Sequence, residues 1–155
     1  MTAAADAIAN NGDADASANI AVVIEQRAIA NGPGDATADV TNSGSIVGSA
    51  NANAAAAGTA GTFDATAIAV LGGVGTDEAG IYQQANGSTV TLTNDGAIDF
   101  DASATAVATG VGFALGLADG VDQVATGTTA GASLVNGTAG AISVDAAAAA
   151  SGDIA

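Results

Sequence analysis

VTLTNDGAIDFDASATAVA, residues 90–108, is the stretch whose reading decides the fold. After Asn94-Asp95-Gly96, every second residue is apolar: Ile98, Phe100, Ala102, Ala104, Ala106 and Ala108. Between them stand Asp99, Asp101, Ser103 and Thr105, with Val107 as the exception. A period of two puts the first set on one face of an extended strand and the second on the other. Ala is the best helix former, but a helix would scatter both sets around its axis. Before the turn, Val90 and Leu92 alternate with Thr89, Thr91 and Thr93, whose β-branched side chains suit a pleated surface.

Working outward, the same turn recurs. Asn-x-Gly units stand at Ile8 to Gly12, Val40 to Gly44 and Leu92 to Gly96, with a degenerate copy at Leu134 to Gly137 in which Gly140 arrives late. The repeat residues are Asn10, Asn42, Asn94 and Asn136 with Gly12, Gly44 and Gly96, and the Asn positions are 32, 52 and 42 apart. Such irregular spacing fits stacked units carrying loops of variable length. Alternating small residues follow as DADASA (13–18), DFDASA (99–104) and SVDAAA (143–148). A second element precedes the next Asn by 11 to 16 residues: Ile24-Glu25-Gln26, Ile81-Tyr82-Gln83 and Val121-Asp122-Gln123. Gly-rich excursions at Leu71 to Gly75 and Gly110 to Gly116 read as corners or lateral loops. Asp13 to Asn31 has no Gly or Pro and no clean alternation over Ile20 to Ile24, so helix competes there, with strand preferred.

Bulk chemistry narrows the function. The 155 residues include 43 Ala and 22 Gly, one cation (Arg27) against 14 Asp and 2 Glu, and no His, Cys or Trp, for a net charge of −15. Without His or Cys there is no imidazole base, thiolate nucleophile, disulfide or soft-ligand zinc site, and one Arg cannot make a nucleic-acid-binding patch. With 49% apolar residues and a mean hydropathy of +0.43, order is expected over disorder. No basic leader precedes an apolar run near Met1, and polar residues interrupt every apolar stretch before it could span a bilayer, so neither a signal peptide nor membrane insertion is expected.

Burying an Ala methyl contributes about 0.8 kcal/mol, while fixing a residue's backbone costs about 1–2 kcal/mol, so Ala-lined strands need dense neighbours. Stacking one unit on the next at about 4.8 Å supplies them. The expectation is an all-β chain, residues 1–155 forming a single domain: a single-stranded parallel β-helix, or β-solenoid. Roughly 20 residues per coil would give about seven coils and a rod on the order of 35 Å.

VTNSGSI at Val40 to Ile46, LTNDGAI at Leu92 to Ile98, the Ala-alternating runs and GIYQ at Gly80 to Gln83 resemble the passenger repeats of bacterial autotransporters and large surface adhesins. The resemblance covers most of the chain in patches. It implies a parallel β-helix, usually right-handed, at the bacterial cell surface or released from it, and carries over no catalytic residue. A translocator barrel, signal peptide and polar cap are not recognisable, which is expected of a passenger piece or a free-standing filament subunit.

Each chemical candidate has a structural counterpart. The four Asn could stack as an amide ladder or take left-handed turn conformations. Asp95, Asp99 and Asp101 are the candidate metal residues, a cluster that resembles a calcium site because hard cations want several carboxylate and carbonyl oxygens together; alternation places Asp99 and Asp101 on the wet face, and the glycine-rich calcium repeat is absent. Thr89, Thr91 and Thr93 form the row an ice-binding solenoid uses, but their equivalents are Thr37, Asp39, Thr41 and Gly131, Ser133, Val135. Carboxylate pairs for glycoside hydrolysis, Asp99 with Asp101 or Asp119 with Asp122, lack sugar-stacking platforms, the aromatics being Phe63, Tyr82, Phe100 and Phe113. The reading is a non-enzymatic extracellular structural protein without a cofactor, an adhesin passenger or self-assembling surface filament subunit, with a calcium-responsive adhesive or ice-binding module as the alternative. Self-association, head-to-tail or lateral, is expected, because the close at Ile154-Ala155 carries no Lys or Pro guard.

Overall fold

The computed structural model describes residues 1–30, 36–59, 61–73, 78–86, 89–127 and 130–152. Val74, Gly75, Asn31 and the Ile154-Ala155 close lie outside the described residues. Among the described residues every regular element is a strand. A first circuit comprises β1 (Thr2–Asn10), β2 (Ala14–Ile20), β3 (Ile24–Ile29) and β4 (Thr37–Asn42). A second comprises β5 (Ser45–Ala57), β6 (Ala65–Leu71), β7 (Ile81–Asn86) and β8 (Thr89–Asn94). A third comprises β9 (Ala97–Ala108), β10 (Gly112–Ala118), β11 (Val121–Thr126) and β12 (Gly131–Asn136), and β13 (Ala141–Ser151) opens a fourth.

Among the described residues, strands pair across circuits and not within one. The sheet orders are β1-β5-β9-β13, β2-β6-β10, β3-β7-β11 and β4-β8-β12, and every pairing is parallel. The chain thus visits four sheets in fixed order before returning to the first.

That order corrects the expected unit length. One step in the first sheet spans 47 residues from Thr2 to Ser49 and 52 from Ser45 to Ala97. In the third sheet the step is 57 from Ile24 to Ile81 but 40 from Ile81 to Val121. A unit is therefore at least twice the expected 20 residues, because it holds four strands. Three steps of about 4.8 Å rise about 14 Å, not 35. The variation sits in the connections: residues 21–23, 72–80 and 119–120 join equivalent strands.

Register also separates true repeats from look-alikes. Asn42, Asn94 and Asn136 are directly aligned, but Asn10 pairs with Ala57 in another sheet, so the unit near residue 8, with Gly12, is not a copy. DFDASA and SVDAAA align, Asp101 against Asp145, whereas DADASA lies in β2. The aligned second-circuit segment is Val47 to Ala52, which escapes recognition because Gly48 replaces Phe100. All three Gln elements align as read.

Burial follows the period of two. In β9, Ile98, Phe100, Ala102, Ala104 and Ala106 are buried, and β2 buries Ala14, Ala16, Ala18 and Ile20 while exposing Asp15, Ser17 and Asn19. Faces made mostly of Ala and Gly let the first and second sheets approach with Cα atoms within 8 Å, inside the usual spacing of about 10 Å. The approach explains why Gly110 to Gly116 is largely strand rather than loop. A Cβ on Gly116 would lie 2.3 Å from the Ala147 carbonyl oxygen, and one on Gly112 2.5 Å from that of Ser151. At the other end the interior widens to hold Phe100, Leu71, Ile81, Leu92 and Ile98, and a Cβ on Gly80 would lie 2.4 Å from the Phe100 ring.

Close packing predicts an asymmetric response to size. Ala67→Leu, at a fully buried position, should lower stability by about 1–3 kcal/mol, read as a lower urea midpoint. Ser17→Leu, on the outward face of the same sheet, should stay within about 0.5 kcal/mol. Equal losses would show that the Ala interior is not tightly filled.

Candidate functional site

Three buried polar side chains, Asn42, Gln83 and Asn94, stand among the buried residues, and all belong to the repeat positions read from the sequence. In the Asn column, Asn42 Nδ2 donates to Asn94 Oδ1 at 2.7 Å, and Asn94 Nδ2 donates to Asn136 Oδ1 at 2.7 Å. The same Nδ2 atoms reach the Ala97 and Ala141 carbonyls at 3.0 and 3.1 Å, and Asn42 Oδ1 accepts from the Gly44 backbone at 3.1 Å. Asn42 and Asn94 thus each bond forward to the next circuit, while Asn136 Nδ2 closes its own turn on the Gly140 carbonyl at 2.9 Å. Left-handed backbone is not part of this device: among described non-Gly residues only Asn11 has a positive φ, at 65°. Glycine serves the close stacking of the turns, since a Cβ on Gly96 would sit 2.0 Å from the Gly44 carbonyl oxygen.

The Gln column runs the other way. Gln123 Nε2 donates to Gln83 Oε1 at 2.9 Å, and Gln83 Nε2 donates to Gln26 Oε1 at 3.1 Å. These amides also bond across the interior to the fourth sheet, Gln26 to the Asp39 carbonyl, Gln83 to those of Ala38 and Thr91, and Gln123 to that of Ser133. Every buried side-chain polar atom among the described residues has a partner. The columns are therefore structural fasteners, with axial donors pointing toward the last circuit in one and toward the first in the other.

A third column was not legible from the motifs. At the corner between the first and second sheets, Asp13 Oδ1 accepts from the Asp64 backbone N–H at 2.9 Å, and Asp64 Oδ1 accepts from that of Val111 at 2.8 Å. The available signal was an Asp directly preceding an Ala-alternating strand, at Asp13-Ala14 and Asp64-Ala65.

The acidic candidates lie outside the interior. Asp95 is in the turn before β9, Asp99 stands between Val47 and Ser143, and Asp101 between Ser49 and Asp145. Among the described residues no group of three or more His, Cys, Asp or Glu side chains is gathered to hold a metal ion. Asp119 closes its corner by accepting from the Gly120 N–H at 2.8 Å, and Asp122 pairs with Tyr82 on the outward face of the third sheet. Tyr82 is nonetheless fully buried, with the Arg27 guanidinium carbon 5.1 Å from its ring centroid and Arg27 Nε donating to Glu25 at 2.5 Å. The sole Arg is thus engaged in shielding a ring.

Thr37 aligns with Thr89 and Gly131, Asp39 with Thr91 and Ser133, and Thr41 with Thr93 and Val135, so the threonine row does not repeat through all circuits. On the second sheet, Phe113, Leu115 and Leu117 point outward beside Thr66, Ile68 and Val70, an apolar strip hidden from sequence reading by the loop assignment of Gly110 to Gly116. A shallow hollow of about 260 Å³ on the first sheet is lined by Asp6, Ile8, Asn53, Ala55, Thr105 and Val107. Comparison with protein families, curated proteins and solved structures finds no match for this chain.

If the columns fasten the circuits, Asn94→Ala should cost about 1–3 kcal/mol, because Asn42 and Asn136 lose a partner inside the stack. Asn136→Ala, at an exposed position where water substitutes, should cost less than about 1 kcal/mol. Thermal melting of both variants checks the ordering, and the reverse order would remove the fastening role.

Proposed function

We propose that the chain is one right-handed parallel β-helix and works as a non-enzymatic extracellular structural module, an adhesin passenger or self-assembling filament subunit of a bacterial surface. The observation that carries this reading is the pair of amide columns aligned through successive circuits, which commits the buried polar side chains to holding the stack together. Parallel pairing between strands that are far apart in the chain fits a helical path, and crossover connections between parallel strands of one sheet are right-handed in about 98% of cases. The residues resembling autotransporter passenger repeats, Val40 to Ile46 and Leu92 to Ile98, form the aligned turn from fourth to first sheet, where a stacked repeat needs them. Acidic groups on the outer faces keep such a rod hydrated and repel anionic polymers.

The test is location. Brief protease treatment of intact cells of the producing organism, followed by immunoblotting, should remove the protein while cytosolic controls persist. Protection until the cells are lysed would overturn the surface role.

A further inference from the structure

The two sides at which the sheets stop differ in a way that makes them fit each other. On the last circuit the inward side chains lie open: Leu134 and Val144 are 45% and 42% exposed, while their aligned counterparts Leu92 and Phe100 are completely buried. On the first circuit, β2, β3 and β4 present the matching inward set. Carrying the register one step on would place Ala14, Ala16 and Ala18 over Gly112, Ala114 and Gly116, Ile24 over Val121, and Val40 over Leu134. The amide columns match in direction as well as position. Gln26 donates to Asp39 with one of its two amide hydrogens, and Gln123 Oε1 is the next acceptor in its series. Asn136 Nδ2, which uses one hydrogen on the Gly140 carbonyl, is the next donor for Asn42 Oδ1.

The first sheet has four strands and the others three, so stacking two copies through all sheets would place β13 of one and β1 of the next in the same layer. Resting on our reading of the stack as a self-assembling β-helix, we propose that a second copy of this chain docks its β2, β3 and β4 onto β10, β11 and β12, while β13 of the first copy replaces β1 of the second on β5. The two strands are interchangeable by register: Ala146, Ala148 and Ala150 occupy the layer positions of Ala3, Ala5 and Ala7. β13 is also the longer fit, because it adds Ile142 at the position of Ile46, where β1 begins only opposite Ser49. The displaced β1 pairs with a single strand and leaves through Asn11-Gly12, where the backbone already turns at a positive φ of 65°. The contact is head-to-tail and does not close, so exchange propagates as a filament.

The chain has no cysteine, so introduced thiols report the layer order. Asn51 and Ala147 are both aligned with Ser103, on opposite sides of it, and so sit two strand spacings apart in one copy, about 9.6 Å and too far for a disulfide. Across the exchanged joint they are neighbours. Full-length Asn51→Cys and Ala147→Cys chains, mixed in about 0.3 M salt to screen the charge and mildly oxidised, should give a disulfide-linked heterodimer. The doubly substituted chain should give a series of higher oligomers.

Linkage of Ala4→Cys to Ala147→Cys chains instead would mean that β1 stays in place and stacks on β13, which overturns the exchange. Native-like dichroism with no heterodimer, together with monodisperse monomers by light scattering at high concentration, would overturn the docking altogether. Protease-accessible monomers on intact cells would sink the exchange and leave the surface role standing; exchange by a protein found only inside cells would do the reverse.

Discussion

An alanine interior holds two sheets together only at short range. Each methyl contributes so little burial that the faces must touch along their whole length, and any larger side chain between them would push the backbones apart. The close approach of the first and second sheets meets that constraint, and Gly112 and Gly116 mark where even a methyl would strike a carbonyl. What the side chains do not supply, main-chain pairing between circuits does. Each sheet repeats the same parallel register, so a circuit is held chiefly by the circuits above and below it.

The wider part of the interior has the opposite problem, and amides address it. Where the third and fourth sheets face each other, Gln26, Gln83 and Gln123 span the space and bond to backbone carbonyls of the facing strands. At the turn into the first sheet the shorter Asn suffices, because Gly44, Gly96 and Gly140 bring the next residues close. Side-chain length thus follows local width: Ala and Gly at the narrow end, Asn at the turn, Gln and the large apolar groups where the sheets diverge. An amide in such a column also fixes register, since a slip by one residue would put both donors and acceptors on the wrong face.

Much of this was readable from a few residues. The alternation after Asn94 predicts the buried face of β9 residue by residue, and the aligned Gln and Asn positions follow from short motifs. Those motifs are visible because an amide in a column cannot be replaced without stranding its neighbours. The number of strands per circuit was not readable, because the second sheet carries no such side chain: its inward residues are Ala, Gly, Ile and Leu, which any buried strand could hold. The same blandness made DADASA in β2 look like the runs in β9 and β13, and made a Gly-rich strand look like a loop. Tyr82 and Arg27 could not have been paired from sequence either, as they lie on neighbouring strands 55 residues apart.

The opposed directions of the two amide columns have an electrical consequence. A row of aligned dipoles builds a macrodipole, as peptide units do along an α-helix, leaving partial charges at its ends. Here the Asn row and the Gln row point oppositely, so their contributions along the stacking axis largely cancel. Each further circuit of this kind would add hydrogen bonds without adding an axial field, leaving the repulsion of the carboxylates on the outer faces as the electrostatic cost.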